Sequence, residues 1–266
     1  MEKKYTGLVV CNTILILIVL GLAGFIVYDK VINNKPNDNV VQPDNNDEQN
    51  KEPKELYSIK KLGDNVSYTG KNNFEVKEGE FSFEYPVINI NSEEIRKVNS
   101  EILKVYQDVY SFINSNYTKE VSETPICQFT IKKNGKLYSG EYSMTALKYN
   151  ISENDKYLSI LIGEKRIAIC GDTGTSYLGY TINKETKKLM SNSELLAMFN
   201  ATKDEKLFIN TYNETAQSLG ESNAKSIDDL RLYVYDDKLV LCLTTNGDHL
   251  LEYSNGTFSG PVEVLA

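Results

Sequence analysis

Asp172 stands in the run Cys170-Gly171-Asp172-Thr173-Gly174-Thr175-Ser176. An Asp-Thr-Gly triplet sets a carboxylate on a tight turn. Such a group does hydrolytic chemistry when a second carboxylate shares its proton, because like charges ~3 Å apart cannot both ionise. Only one such triplet occurs, so the sequence reads as a polar loop between strands, with Asp and Gly serving turn geometry. The discriminating feature is whether a second carboxylate converges on Asp172. His249, the single histidine, follows Asp248 and could act as a base. No Gly-x-Ser-x-Gly elbow accompanies it, and Ser254 beside Tyr253 adds no triad, so His249 reads as an exposed loop residue.

Cys127, Cys170 and Cys242 each sit in an apolar or alternating run: ICQFTI, RIAIC and LVLCL. Buried strand thiols are the expectation, and a bridge such as Cys127 to Cys170 is the alternative that geometry decides. There is no Cys-x-x-Cys and no histidine cluster, so no zinc site is expected. A formal charge of -8 and a pI near 5.0 lack a basic footprint and exclude nucleic acid as a partner. Asn-x-Ser/Thr triplets begin at Asn65, Asn116, Asn150, Asn200, Asn213 and Asn255, as expected by composition in so Asn-rich a chain.

These groups are positioned by a chain with a strong amino-terminal address. Gly7 to Tyr28 is uncharged and almost wholly apolar. As a helix it would be about 33 Å long, enough to cross a hydrocarbon core of roughly 30 Å. Lys3 and Lys4 precede it while Asp29 and Lys30 cancel after it, which favours a cytoplasmic amino terminus. The run is longer than a secretory signal core and ends Phe25-Ile26-Val27-Tyr28, so an uncleaved anchor is expected. Cys11 lacks a lipoprotein-type context and reads as a membrane-embedded thiol. The organisation is then a cytoplasmic tail (1–6), a transmembrane helix (7–28), a flexible linker (29–56) and an extracytoplasmic domain (57–266). The linker contains almost no hydrophobes to offset chain entropy.

Within the domain, Glu80 to Tyr85 alternates with period two and predicts a strand that stops at Pro86, with Phe81, Phe83 and Tyr85 on one face. Ile95, Val98, Ile102, Val105, Val109 and Phe112 then predict a helix over 92–114, opened by Asn91 with Glu94 and flanked by Tyr106 and Tyr110. Strands are expected over 126–132, 136–151, 157–170 and 177–183, forming one antiparallel meander with a tight turn at Asn134-Gly135. Ser191 is expected to cap a helix through Phe199. A second begins at a Thr202/Glu205 capping box, carries Phe208, Tyr212 and Leu219 on one stripe, and stops at Gly220. Strands at 231–235, 238–243 and 258–264 close the chain. The fold class is α+β, an antiparallel sheet packed by amphipathic helices.

The order of these motifs resembles a known family. FSFEYPVINI followed by NSEEIRKVNSEI is similar to the Tyr-Pro-x-Ile and Asn-rich helix opening of the exported PdaC/RsiV-like domain. That domain occurs in bacterial peptidoglycan deacetylases and lysozyme-responsive anti-sigma factors. GYTINKETKKLMSNSELLAMF, and LYVYDDKLVLCL through EYSNGTFSGPVEVL, resemble its later strands and helix, so the likeness spans about Phe81 to Leu265. Richness in Asn, Lys, Tyr and Ile fits a low-GC bacterium. Deacetylation belongs to a separate catalytic domain, and sigma-factor binding to a longer cytoplasmic segment; neither is expected of this sequence. The Asp-Thr-Gly loop also resembles that of aspartic proteases, but the helix-rich remainder does not suit their small all-β dimer.

The expectation is a single-pass cell-membrane protein whose outer domain binds a wall component such as peptidoglycan, or a lysozyme-like protein, without catalysis of its own. Its other partner is the lipid bilayer through residues 7–28. No catalytic, cofactor-binding or metal-ligating residue is assigned. The alternative is a wall-active hydrolase using Asp172. Exposed tyrosines could stack on sugars, but strand tyrosines also pack sheets, and sequence does not separate the two.

Overall fold

The structure, a computed structural model, describes residues 55–219, 222–243 and 250–262. The apolar run 7–28, nearly all of the linker and His249 lie outside the described residues. Four short strands come first: β1 (Tyr57–Lys61), β2 (Val66–Lys71), β3 (Val76–Phe81) and β4 (Glu84–Ile88). Helix α1 (Glu93–Asn116) follows, then β5 (Lys119–Val121), β6 (Gln128–Lys133) and β7 (Lys136–Ser139). Three long strands, β8 (Ser143–Glu153), β9 (Tyr157–Ala168) and β10 (Gly174–Asn183), end in the short β11 (Lys188–Leu189). Helices α2 (Asn192–Met198) and α3 (Glu205–Leu219) lead to β12 (Arg231–Tyr235), β13 (Lys238–Cys242), β14 (Leu250–Ser254) and β15 (Thr257–Ser259).

The architecture is α+β, and every described strand pair is antiparallel. Instead of one meander there are four sheets: β1-β4, β3-β2-β6-β7-β5, β11-β10-β9-β8 and β12-β13-β14-β15. The predicted strand 136–151 is therefore two strands in different sheets. The expected turns are present: Asn134 and Gly135 at φ 51° and 79°, and Asp236 and Asp237 at 49° and 58°, are tight hairpin geometries.

β9 is buried at every position from Tyr157 to Gly163. Its even residues Leu158, Ile160 and Ile162 pack with Ile95, Val98 and Ile102 of α1. Its odd residues meet the β12–β15 sheet: Leu161 joins Tyr233 and Val240, and Ser159 Oγ lies 3.1 Å from Val234 O. The other face of that sheet, Leu232, Val234, Leu239 and Leu241, is covered by Leu195, Leu196 and Phe208 from α2 and α3. The layers thus run α1, long sheet, short sheet, α2 with α3. The two sheets approach closely at Gly179, where a Cβ would meet the Tyr233 ring at 2.3 Å.

The α1 stripe is Ile95, Val98, Ile102, Tyr106, Val109 and Ile113. Its steps average 3.6 residues, the true helical period, whereas the predicted series through Val105 to Phe112 drifts off the buried face. Phe112 is accordingly exposed and Tyr106 is core. The cap is Ser92, whose Oγ accepts Ile95 N–H at 3.2 Å, rather than Asn91. Val109 and Ile113 pack with Phe81, Phe83, Phe129 and Ile131 beside the five-stranded sheet.

Phe81, Phe83 and Tyr85 are all buried as predicted, but Phe81 ends β3, Tyr85 lies in β4 and Phe83 stands in the connection between them. β3 pairs with β2 and β4 with β1, and Pro86 lies inside β4 opposite Ile59. β4 has a neighbour on one side only, and such an edge tolerates a residue without N–H. Ser191 caps α2 in a reciprocal box with Glu194. The Thr202/Glu205 box does not form: 202–204 is a 3-10 turn after Ala201, and Asp204 instead accepts the Tyr253 hydroxyl. Phe208 and Ala216 are buried and Tyr212 packs against the same cluster.

Two substitutions test this packing by urea denaturation. Gly179→Ala is expected to destabilise by ~1–3 kcal/mol, because the Tyr233 ring is enclosed and overpacking forces a shift. The Tyr106 hydroxyl is buried and has no hydrogen-bond partner among the described residues. Tyr106→Phe removes that desolvated group and is expected to raise stability by ~1 kcal/mol.

Candidate functional site

Asp172 lies in the connection between β9 and β10, at the end of the long sheet. Strand register does the positioning: Thr145, Arg166 and Gly174 stand in one cross-strand row, and Leu147, Glu164 and Ser176 in the next. Cross-strand partners share a face. Thr145, Glu164, Arg166 and Ser176 therefore project together, past the point where α1 covers Ile160 and Ile162. With Asp172 and Thr173 they line an open depression of about 420 Å³.

Arg166 is its organising cation. Its Nη2 donates to the Tyr142 hydroxyl at 2.8 Å, and the guanidinium carbon lies 5.6 Å from the Tyr142 ring centroid. That ring contact is within cation–π range. Tyr142 in turn faces Gly171, whose φ of +135° strains any side chain and whose Cβ would sit 3.4 Å from the ring.

Cys127 and Cys170 form a disulfide with Cα atoms 5.3 Å apart, correcting the reading of both as buried thiols. Cys242 is buried on β13 and takes no part in this bridge, as expected. Cys127 has left its strand run for a loop at φ 57° just before β6, and Cys170 lies just past the end of β9, so neither occupies a ladder position. Cys127 N–H donates to Lys71 O at 2.7 Å, and Asn72 Nδ2 donates to Ile169 O at 2.9 Å. The segment entering the Asp172 loop is thereby tied to the five-stranded sheet.

A second carboxylate does line the depression with Asp172: Glu164, half-buried on β9. Asp172 itself is exposed. An exposed carboxylate is open to hydrogen bonds from an approaching ligand. The site offers two hydrogen-bond acceptors of negative charge, one forked cationic donor and several hydroxyls around a wet opening. That set suits recognition of a polar, hydroxyl-bearing ligand. The sequence alone does not single out Glu164, Arg166 or Tyr142. The charged run Glu164-Lys165-Arg166 after the apolar Ile160-Leu161-Ile162 is the available signal, but only register joins it to Thr145 and Ser176.

Other depressions are seams of the fold. One of about 280 Å³ holds Tyr157, whose hydroxyl donates to Asp237 Oδ1 at 2.5 Å. Burial first, and that hydrogen bond second, push the Tyr157 hydroxyl well above its ordinary value, keeping it a donor that pins the β12–β13 turn. Another, of about 380 Å³, follows the junction of β10 and β12, where Tyr233 donates to Tyr177 O at 3.1 Å. Ser254 ends β14 on the short sheet, and its carbonyl accepts from Thr257 Oγ1. Among the described residues no cluster of metal-ligating side chains occurs. No protein-family model and no curated protein matches this chain.

The bridge closes a separation of 43 residues. On loop entropy alone, Cys127→Ser with Cys170→Ser is expected to cost about 4 kcal/mol. Native-state hydrogen exchange should show the loss of protection concentrated in 168–173, whereas a uniform loss would mean that the bridge does not hold this loop.

Proposed function

We propose that this chain is a membrane-anchored, extracytoplasmic binding or sensory module of the bacterial cell envelope, without catalysis of its own. The observation that carries the reading is the depression at the end of the long sheet. There Arg166, braced by Tyr142, faces Glu164, Asp172 and a ring of Thr and Ser hydroxyls on a disulfide-tied frame. Rigid placement lowers the ordering cost of binding. The apolar run 7–28, the polar stretch after it and the resemblance to PdaC/RsiV-like domains support the envelope setting. They direct attention to peptidoglycan or a lysozyme-like protein as the ligand.

The second reading, a wall-active hydrolase, is favoured by Glu164 sharing the depression with Asp172. A pull-down of the purified full chain separates the two, with peptidoglycan, lysozyme and envelope extract as baits. Saturable binding that persists in Asp172→Asn and weakens about tenfold in Arg166→Ala, or roughly 1.4 kcal/mol, is expected of the binding module. Bait degradation that disappears in Asp172→Asn and Glu164→Gln would replace it with the hydrolase.

A further inference from the structure

Surface lysines of this fold close on carboxylates within their reach: Lys136 on Glu120 at 2.9 Å, Lys184 on Glu153 at 2.8 Å and Lys238 on Glu252 at 2.9 Å. The depression at the end of the long sheet differs. Glu164 and Arg166 lie two residues apart on β9 with side chains to one face, their Cα atoms about 6.6 Å apart by strand rise. Among the described residues, none of Glu164, Arg166 and Asp172 closes an ion pair. Tyr142 instead takes one Nη2 donor of Arg166 and offers its ring, which leaves the rest of the guanidinium fork open. Opposite charges thus share one wet wall without pairing, and each keeps hydrogen-bonding capacity for a ligand.

We propose that this depression takes the two charged ends of a short peptide, Arg166 holding its carboxylate and Glu164 its ammonium group. The inference rests on the binding-module reading and deepens it, since the peptide part of a wall polymer, rather than its glycan, is then the ligand. An extended chain spans at most ~3.3–3.6 Å per residue, so the termini of a dipeptide lie about 7 Å apart. That span matches the spacing of Glu164 and Arg166. The planar guanidinium fork suits a carboxylate bidentately. Glu164 is half-buried on a strand and so is aimed with less freedom than the exposed Asp172, which adds negative charge from the loop. Between the two ends, the hydroxyls of Thr145 and Ser176 each donate or accept, as a peptide group requires. A neutral sugar leaves both charges without a counter-charge. A purely anionic ligand meets Glu164 and Asp172 as like charges, which specificity penalises.

Ligand-observed NMR titration of the full chain in detergent tests this with alanyl-alanine in L and D forms, its N-acetyl and C-amide derivatives, and chitotetraose as the glycan. Saturable binding of alanyl-alanine is expected, and blocking either end is expected to weaken it at least tenfold. The substitutions divide those penalties. In Arg166→Ala the amide is expected to bind as the free dipeptide does, while acetylation still weakens binding tenfold; in Glu164→Gln the reverse is expected. Arg166→Lys, which keeps the charge, restores a preference for the carboxylate and so separates lost recognition from lost folding. Displacement of bound peptidoglycan by the dipeptide assigns wall peptides as the source, and binding without displacement assigns free peptide; either supports the site. Equal binding of blocked and free forms, or penalties that neither substitution moves, overturns the inference. Retention of peptidoglycan or chitotetraose with no dipeptide bound also overturns it and leaves the binding module intact. Retention of no bait, the dipeptide included, overturns the module as well.

Discussion

Burial of β9 on both faces is the constraint on which the remaining structure depends. A strand with apolar residues at consecutive positions must be covered twice, and the chain supplies the two covers from opposite sides in sequence. Helix α1 precedes the long sheet and takes Leu158, Ile160 and Ile162; the β12–β15 sheet follows it and takes Leu161. The second cover demands close approach. Small residues grant it: Gly179 receives the Tyr233 ring, and Ser159 and Thr181 satisfy one another with their hydroxyls 3.0 Å apart. A larger or unpaired group at that seam would separate the sheets or bury an unmatched dipole.

The two ends of the long sheet then have different fates. Toward Leu158 it is enclosed by layers. Toward Arg166 it runs out beyond α1, and its opposite face, at Met144, Ala146 and Ile167, joins the five-stranded sheet. The face left open there carries Thr145, Glu164, Arg166 and Ser176. Polar residues at these positions are what an uncovered sheet end requires for solubility. What distinguishes this end from a plain solvated edge is its bracing: the disulfide, the Asn72 grip and the Tyr142 contact hold the Asp172 loop in one geometry. On the proposed binding reading, a polar site held this way would meet its ligand without first having to order itself.

Local chemistry was legible wherever it acts over a few residues. Ser191 with Glu194, the turns at Asn134-Gly135 and Asp236-Asp237, and the burial of Phe81, Phe83 and Tyr85 follow from capping, positive φ and alternation, all local. The start of α1 was legible too, but its cap was displaced by one residue and two stripe positions fell one residue short, at Val105 for Tyr106 and Phe112 for Ile113, because neighbouring residues there are equally apolar and only the packing face chooses between them. The division of 80–85 and of 136–151 between sheets was not legible. A strand's alternation is the same whichever sheet pairs with it.

Residue types by themselves determined the α+β class, the antiparallel pairing and the presence of an Asp-bearing loop, since these rest on periodicity and turn preference. Tertiary structure alone decided that Cys127 meets Cys170 and that Glu164 and Arg166 join Asp172. Those outcomes depend on register and on which faces remain uncovered. They are set by contacts between segments distant in sequence, for which no local pattern of side chains carries a signal.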